Sequence, residues 1–431
     1  MTVWTLKKDA LYRIKLQHPW VYRDELKFAP ELPYKGAPVE LRSEAGDVLA
    51  RGYGNLQSKL TFRVLSFGSH TGTPMSQEFV LYKLLNAWKT RKRLGFLGSF
   101  RLCFGEGDGL TGLVVDYYKL SSPSSTQLLA VQILTAGMEN IFKAFPDLLR
   151  ILIERAQKEG LTEMNWDQTA IIYRNDVRVR EHEGLREEAP RFVQNLKDVD
   201  WTKSQALMNA WNWQETISLS CDLYQGQKTG LFLDQSYNIQ AVLGFLSKFN
   251  QKKKLRVLDI CCYVGHWSAQ FSHWAKAQGI ELEIDLLDIS ETALRYAEEN
   301  AKSNGCSQVR TFKLDALKDW PLEEKSYDVV ICDPPAFVKS VKDKDKGLSA
   351  YVRLNTESLK RVVPGGIFAT CSCSGLVGRN DFDKAVQKGF LRSERQGQLL
   401  LRGGNAWDHP ARLSFPEGQY LKMSTYLVDS F

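Results

Sequence analysis

The 431-residue chain has no apolar run long enough to cross a membrane, and its first fifteen residues lack the uninterrupted hydrophobic stretch of a secretory signal. Lys7, Lys8, Asp9, Arg13 and Lys15 break that segment up, so neither export nor membrane insertion is expected and a cytoplasmic protein is. The eight cysteines are scattered, with none of the regular spacing of a disulfide framework, which points to free thiols in a reducing compartment. There is no C-x-x-C pair and the six histidines are dispersed, so no metal site is expected. Internal repeats and low-complexity tracts are also missing, which removes solenoid and fibrous architectures. What is present is ordinary for a globular protein. With 43 % hydrophobic and 25 % charged residues every part is expected to fold, and the length calls for more than one core.

The formal charge is +7, and part of the excess is early: residues 1–70 hold eleven Lys/Arg against seven Asp/Glu. The run Lys89, Arg91, Lys92, Arg93 adds to it. Such a surface attracts a polyanion, although a balance this mild also occurs in proteins that bind no nucleic acid.

Apolar and polar residues alternate from 36 to 67 with turns between, which predicts hairpins of a small β module. Glu78 to Arg93 has Phe79, Leu81, Leu84, Leu85 and Trp88 at helical spacing. From Phe100 to Glu183 strands dominate, with one helix expected near Ile141 to Lys158. Leu185 to Trp213 is polar and shows neither period, so it reads as a linker or surface excursion. From about Leu255 apolar strands alternate with helical patterns, the pattern of parallel βαβ units. The resulting division is 1–76 (β module), 77–97 (helical connector), 98–212 (small α+β domain with the linker) and 213–431 (α/β domain).

Within that last domain, Leu255 to Ile260 is a strand candidate leading through Cys261 to Gly265 into a helix from His266. Glu283 to Asp288 follows, ending in an acid 23 residues after Gly265, where a carboxylate can accept hydrogen bonds from ribose hydroxyls. A third strand ends at Asp315, placed to meet an adenine amino group. Each acid alone can be a helix cap or a turn residue. Together Asp259, Asp288 and Asp315 close three successive strands along the edge where such sheets bind ligands. A dinucleotide is disfavoured because G-x-G-x-x-G is missing after the first strand. That pattern does occur at Gly107 to Gly112, but a strand follows it, so it reads as a glycine-rich turn.

The fourth strand candidate, Tyr327 to Asp333, opens into Pro334, Pro335, Ala336 and Phe337. Two prolines rigidify the loop, so Asp333 and Phe337 are expected to face a pocket where an extruded base can be held. The fifth strand, from Gly366, ends at Cys371, Ser372 and Cys373, and alternation places both thiols on one face. Methylating carbon 5 of a pyrimidine requires a nucleophile at carbon 6, which a thiolate supplies, whereas methylating an amino group does not. Cys373 at the strand's end, with Asp rather than Asn in the loop, favours carbon. A buried inert thiol is the alternative for Cys373 and the expectation for Cys371, Cys332, Cys261 and Cys262. Ionising Cys373 should need help from a helix terminus or from the substrate.

These residues resemble the bacterial large-subunit (23S) rRNA cytosine-5 methyltransferases that carry an N-terminal PUA domain. The resemblance covers most of the chain. His18-Pro-Trp-Val21 and Ala50-Arg-Gly52 are similar to the PUA signature; Gly105 to Leu110 and Arg174 to Val177 are similar to the central domain. Gln227 to Gln235, Asp333 to Phe337, Ser372 to Gly375 and Phe415 to Gly418 are similar to the catalytic domain. The resemblance implies a PUA-like β-barrel, a central α+β domain and a class I Rossmann-like domain with a mostly parallel seven-stranded sheet. It implies Cys373 as nucleophile, Asp333 at the base, and Asp234, Gln235, Asp259, Tyr263, Gly265, Asp288, Asp315 and Pro334 around S-adenosyl-L-methionine. RNA, as 23S rRNA or a large-subunit precursor, is the implied partner, with the oligomeric state left open, a homodimer included. Two positions depart from the family pattern: Ser236 replaces an Arg after the Asp-Gln pair, and His266 replaces the second Gly of a Gly-Gly pair. They keep a competing expectation open, an RNA-binding assembly factor whose cofactor site has decayed; methylation of a base amino group is the other.

Overall fold

Alternation does produce strands in the N-terminal module. Ala37–Arg42, Val48–Gly54 and Phe62–Phe67 form an antiparallel meander, and Thr2–Leu6 runs parallel to the first of these. Leu26–Phe28 and Trp20–Val21 complete a six-stranded sheet over a core that includes Trp4, Leu41, Phe62 and Val64. A Cβ on Gly52 would stand 1.9 Å from the Arg63 carbonyl oxygen, so the last two strands of the meander close only on a glycine there. The computed structural model describes residues 1–68, 74–122, 126–197, 199–318 and 320–430. By its internal contacts the chain forms two units, one of residues 1–202, 223–230 and 407–418, the other of 203–222, 231–406 and 419–431.

In the first unit the helix Gln77–Arg93 starts where the Ser76 hydroxyl accepts the Phe79 N–H, and it buries Leu81, Leu84, Leu85 and Trp88. Its basic end is less available than its composition suggests. Arg91 is buried, forked onto Asp108 at 2.6 and 2.7 Å and donating to the carbonyls of Arg101 and Asp408. The single helix expected near residues 141–158 is two, Ala136–Ala144 and Leu148–Lys158. Pro146 removes an N–H and keeps Phe145 out of the helical region, at φ −128° and ψ 73°, so one helix cannot run through. The expected linker is also partly strand. Arg191–Gln194 pairs with Thr169–Tyr173, and in the second unit Ser204–Asn209 forms a hairpin with Thr216–Cys221. The first is a mostly exposed edge, and the second turns Ser204, Ala206 and Met208 inward, so neither carries an apolar period.

The second unit contains helix α1 (Ser236–Phe249), then β1 (Lys254–Ile260), α2 (His266–Gln278), β2 (Glu281–Asp288), α3 (Glu291–Ser303) and β3 (Gln308–Lys313). It continues with β4 (Tyr327–Cys332), α4 (Lys344–Arg361), β5 (Val362–Ser372), α5 (Arg379–Arg392), β6 (Arg395–Gly403) and β7 (Lys422–Ser430). The sheet order is β3-β2-β1-β4-β5-β7-β6. The first five strands are parallel, and β7 lies antiparallel between β5 and β6, which agrees with the mostly parallel seven-stranded sheet expected. The strand order runs outward in opposite directions from β1 and β4, which pair parallel, so the loops leaving their carboxyl ends diverge and leave a crevice.

A side chain ties the hairpin to this edge. The buried Asn300 on α3 donates to the carbonyls of Ser220 and Val264, both at 2.9 Å, and accepts the Ser220 N–H at 2.6 Å. Replacing Asn300 by Ala orphans three buried backbone groups, each worth about 1–3 kcal/mol. We expect Asn300→Ala to lower unfolding stability by roughly 2–4 kcal/mol in urea denaturation, and a midpoint within error of the native protein would refute this.

Candidate active site

The turn after β1 brings its residues together by accepting strain. Cys261 and Tyr263 have φ of 60° and 50°, and Gly265 has φ 75°. A Cβ on Gly265 would sit 2.9 Å from Ala297 Cα, so the start of α2 packs on α3 only through a glycine. Asp288, at the end of β2, holds this turn: one oxygen accepts the Tyr263 N–H at 3.0 Å and the other the Ser290 N–H at 2.9 Å. The Tyr263 ring meets Phe232 edge-on at 5.1 Å.

Asp259 is completely buried. Its Oδ2 accepts the Ser268 hydroxyl at 2.5 Å, while Oδ1 has no partner among the described residues. Burial pushes its pKa up to about 7, and the neighbouring negative charges of Asp333 and Asp288 push the same way. Asp333 follows β4, its N–H bonded to the Ile260 carbonyl. Its carboxylate accepts from Gln235 Nε2 at 2.8 Å and Trp267 Nε1 at 3.3 Å, and Gln235 is steadied by Asn238 at 2.6 Å. Pro334 carries the chain to Cys373, whose Sγ lies 3.8 Å from the Pro334 carbonyl oxygen.

Asp259, Tyr263, Gly265 and Asp288 are thus linked in one region, and Gln235, Asp333, Pro334 and Cys373 in a chain of contacts beside it. Two expected residues have other engagements. The buried Asp234 accepts the Tyr420 hydroxyl, and its backbone carbonyl accepts the Ala406 N–H at 2.9 Å. Asp315 accepts the Leu317 N–H at 3.0 Å, a local turn contact, and among the described residues no hydrogen bond joins it to the others. Phe337 packs against Tyr351, with ring centroids 4.9 Å apart.

Regular alternation stops with β5 at Ser372. Cys371 stays in the apolar core, its thiol pushed well above the usual range by burial, whereas Cys373 is half-buried. Burial likewise raises Cys261, Cys262 and Cys332. The residue that sequence reasoning missed is Lys422. It pairs with Ser372 across β5 and β7, is buried, and donates from Nζ to the carbonyls of Ser374 at 2.7 Å and Tyr420 at 2.8 Å. Burial lowers its pKa to about 8, while nearby Cys373 favours its charged form. The antiparallel register that places it there is not visible in local sequence. Trp267 was also missed, although its place two residues after Gly265 on α2 pointed to this edge.

His266, at the start of α2, is buried beside Phe232 and Asp234, and among the described residues neither ring nitrogen makes a hydrogen bond of normal geometry. Burial lowers its pKa to about 4.

A strand order of this kind, with acids collected at the crevice, defines a class I methyltransferase domain, and the six-stranded module precedes it. Residues 251–408 match the model of a methyltransferase domain and residues 5–67 that of a PUA-like domain. Ribosomal RNA large subunit methyltransferase I of Aeromonas salmonicida is 32 % identical over 94 % of both chains, and that of Photobacterium profundum 30 % over 97 % of both. The chain belongs to this family. A structure assigned as a SAM-dependent methyltransferase of Streptococcus mutans superposes over 99 % of this chain with a TM-score of 0.71 at 18 % identity, and a methyltransferase solved with S-adenosylhomocysteine gives 0.72 at 17 %, which supports the fold.

S-adenosyl-L-methionine is the cofactor, and the site suits it electrostatically. The cofactor carries a sulfonium and an ammonium, and three carboxyl groups crowd this edge, one with a buried oxygen still lacking a donor.

That oxygen makes a pH prediction. The Asp259 carboxyl is held protonated in the fold to about pH 7, whereas the unfolded chain ionises near 3.9. Between those values the folded state binds the extra proton, so this group makes stability fall as pH rises and then level off. Asp259→Asn should lack that component when denaturation midpoints of the two proteins are compared across pH 4–8. In calorimetry, S-adenosyl-L-methionine affinity should rise through about pH 7 in the native chain and drop about tenfold or more in the variant. Superimposable stability profiles and equal affinities would dismiss the assignment.

Proposed function

We propose that this protein methylates carbon 5 of a cytosine in large-subunit (23S) rRNA, in the cytoplasm, through a transient covalent bond between Cys373 and the base. The observation that carries the reading is Cys373 Sγ beside the Pro334 carbonyl, one residue from Asp333, with the Lys422 ammonium held at the carbonyl of Ser374.

The chemistry assigns work to each group. Cys373 as thiolate adds to carbon 6 of the ring, forming the S–C6 bond and making carbon 5 nucleophilic. Lys422 favours the thiolate by charge, supplying the help to ionise that a free thiol with pKa about 8.5 needs. Asp333, aimed by Gln235 and Trp267, accepts a hydrogen bond from the base amino group and orients the ring. S-adenosyl-L-methionine supplies the methyl group when bound, its sulfur–methyl bond breaking as the carbon 5–methyl bond forms. A base then removes the carbon 5 proton, the S–C6 bond breaks, and Cys373 leaves as thiolate. Asp259, Tyr263, Gly265 and Asp288 hold the cofactor. Asp234, locked to Tyr420, positions the segment bearing Gln235. Asp315, in the turn after β3, would meet the adenine amino group.

Incubation with 23S rRNA and methyl-labelled cofactor, followed by nucleoside analysis, should yield 5-methylcytidine. Cys373→Ala should lower the rate by more than about a thousandfold. Label appearing on the amino nitrogen, or transfer unaffected by Cys373→Ala, would refute the mechanism. Lys422→Met should move the pH midpoint of Cys373 alkylation by iodoacetamide upward by about one unit, with Cys373→Ser as the blank. An unshifted midpoint would remove Lys422 from the mechanism.

A further inference from the structure

The glycine-rich turn at Gly107 to Gly112 has no part in methyl transfer, yet it forms one wall of a cavity of about 250 Å³ in the first unit. The sheet module lines it with Gln17 and Ser66, the helix Gln77–Arg93 with Lys83, and residues 407–418 with Arg412. The two cations meet over Gly109. A Cβ built there, at φ 77°, would lie 3.1 Å from Arg412 Nη2 and 3.3 Å from Lys83 Nζ. Arg412 is fixed by donating from Nε to the Gly107 carbonyl at 2.9 Å, and Lys83 lies over the Phe79 ring at 5.4 Å.

Like charges this close repel unless an anion separates them, and the nearby carboxylates are already engaged. Asp108 is taken by the Arg91 fork and by the Phe104 N–H at 2.7 Å. Glu106, the acid in the cavity wall, takes its contacts on Oε1, from Trp20 Nε1 at 2.8 Å and the Thr111 hydroxyl at 2.5 Å, with Arg63 3.7 Å from the same oxygen. Among the described residues neither Lys83 nor Arg412 is ion-paired. Burial and Arg412 both lower the pKa of Lys83, an unfavourable state that a bound anion relieves. Several times the ~30 Å³ of a liquid water, the cavity is large enough for a phosphate with part of its sugar.

We propose that Lys83 and Arg412, converging over Gly109, bind one backbone phosphate of the RNA substrate. The proposal rests on the RNA reading above and adds a contact in the unit that does not carry Cys373. A phosphate here fixes the register of the strand without reading its sequence.

Fluorescence anisotropy with a transcribed domain of 23S rRNA, from 50 to 200 mM salt, tests it on the full-length protein. Lys83→Gln and Arg412→Gln should each weaken binding several-fold and reduce the slope of log affinity against log salt by roughly 0.7–0.9, one phosphate contact's worth. Lys83→Arg should keep the native slope, and S-adenosyl-L-methionine affinity should not change in any variant. Native RNA binding with both Gln variants unchanged in affinity and slope would overturn the phosphate site alone. A native chain that does not bind RNA would overturn the RNA reading with it. Loss of inorganic phosphate or ADP binding in the variants, with RNA binding intact, would assign the cavity to a free anion and overturn the RNA contact.

Discussion

A carboxyl group taken wholly out of water at the end of the first parallel strand sets the terms for the crevice around it. Asp259 keeps one oxygen on Ser268 and, among the described residues, leaves the other without a donor, with the negative charges of Asp333 and Asp288 nearby. Such an arrangement is unfavourable without a guest, because a buried polar atom with no partner costs about 1–3 kcal/mol. A cation that donates hydrogen bonds relieves both the desolvation and the repulsion at once. The strained turn Cys261 to Gly265, held by the double acceptor Asp288, follows that carboxyl along the chain.

The same burial distinguishes the thiols. Within the sheet a sulfur is taken out of water, so burial holds Cys332 and Cys371 in the neutral form. Leaving the ladder after Ser372 turns the next cysteine toward polar groups, one carbonyl away from a buried ammonium. Lys422 can be charged there because Ser374 and Tyr420 present carbonyls to it, the compensation that a buried cation needs. Two cysteines, one inside the strand and one just past its end, thus differ in environment.

Which parts were legible follows from the range of the forces involved. The βαβ order, the acid at Asp288, the Asp-Pro-Pro loop and the thiol at the end of the fifth strand are each written within some thirty residues, where period and turn chemistry dominate. Pro146 was equally local, and splitting a helix there needed only the missing N–H to be counted. The strands between 185 and 213 lay beyond such reading, since one is an exposed edge and the other packs small and polar side chains. Lys422 depends on the antiparallel register of β7 on β5, which pairs it with Ser372, and Arg91 looked like surface charge until its partners Asp108 and Asp408 were in place.

Two buried groups at this crevice titrate in opposite senses. Asp259, with its pKa raised to about 7, makes the fold less stable as pH climbs from about 4. His266, depressed to about 4, does the reverse: the unfolded ring gains its proton near 6.5, so its contribution is lost as pH falls through that window. Between about pH 4 and 6.5 the two slopes cancel in part, and above 6.5 only the carboxyl still titrates. His266 therefore partly offsets the pH sensitivity that the buried acid creates. The cost is a ring taken out of water at the mouth of α2, next to the Asp234 segment that carries Gln235.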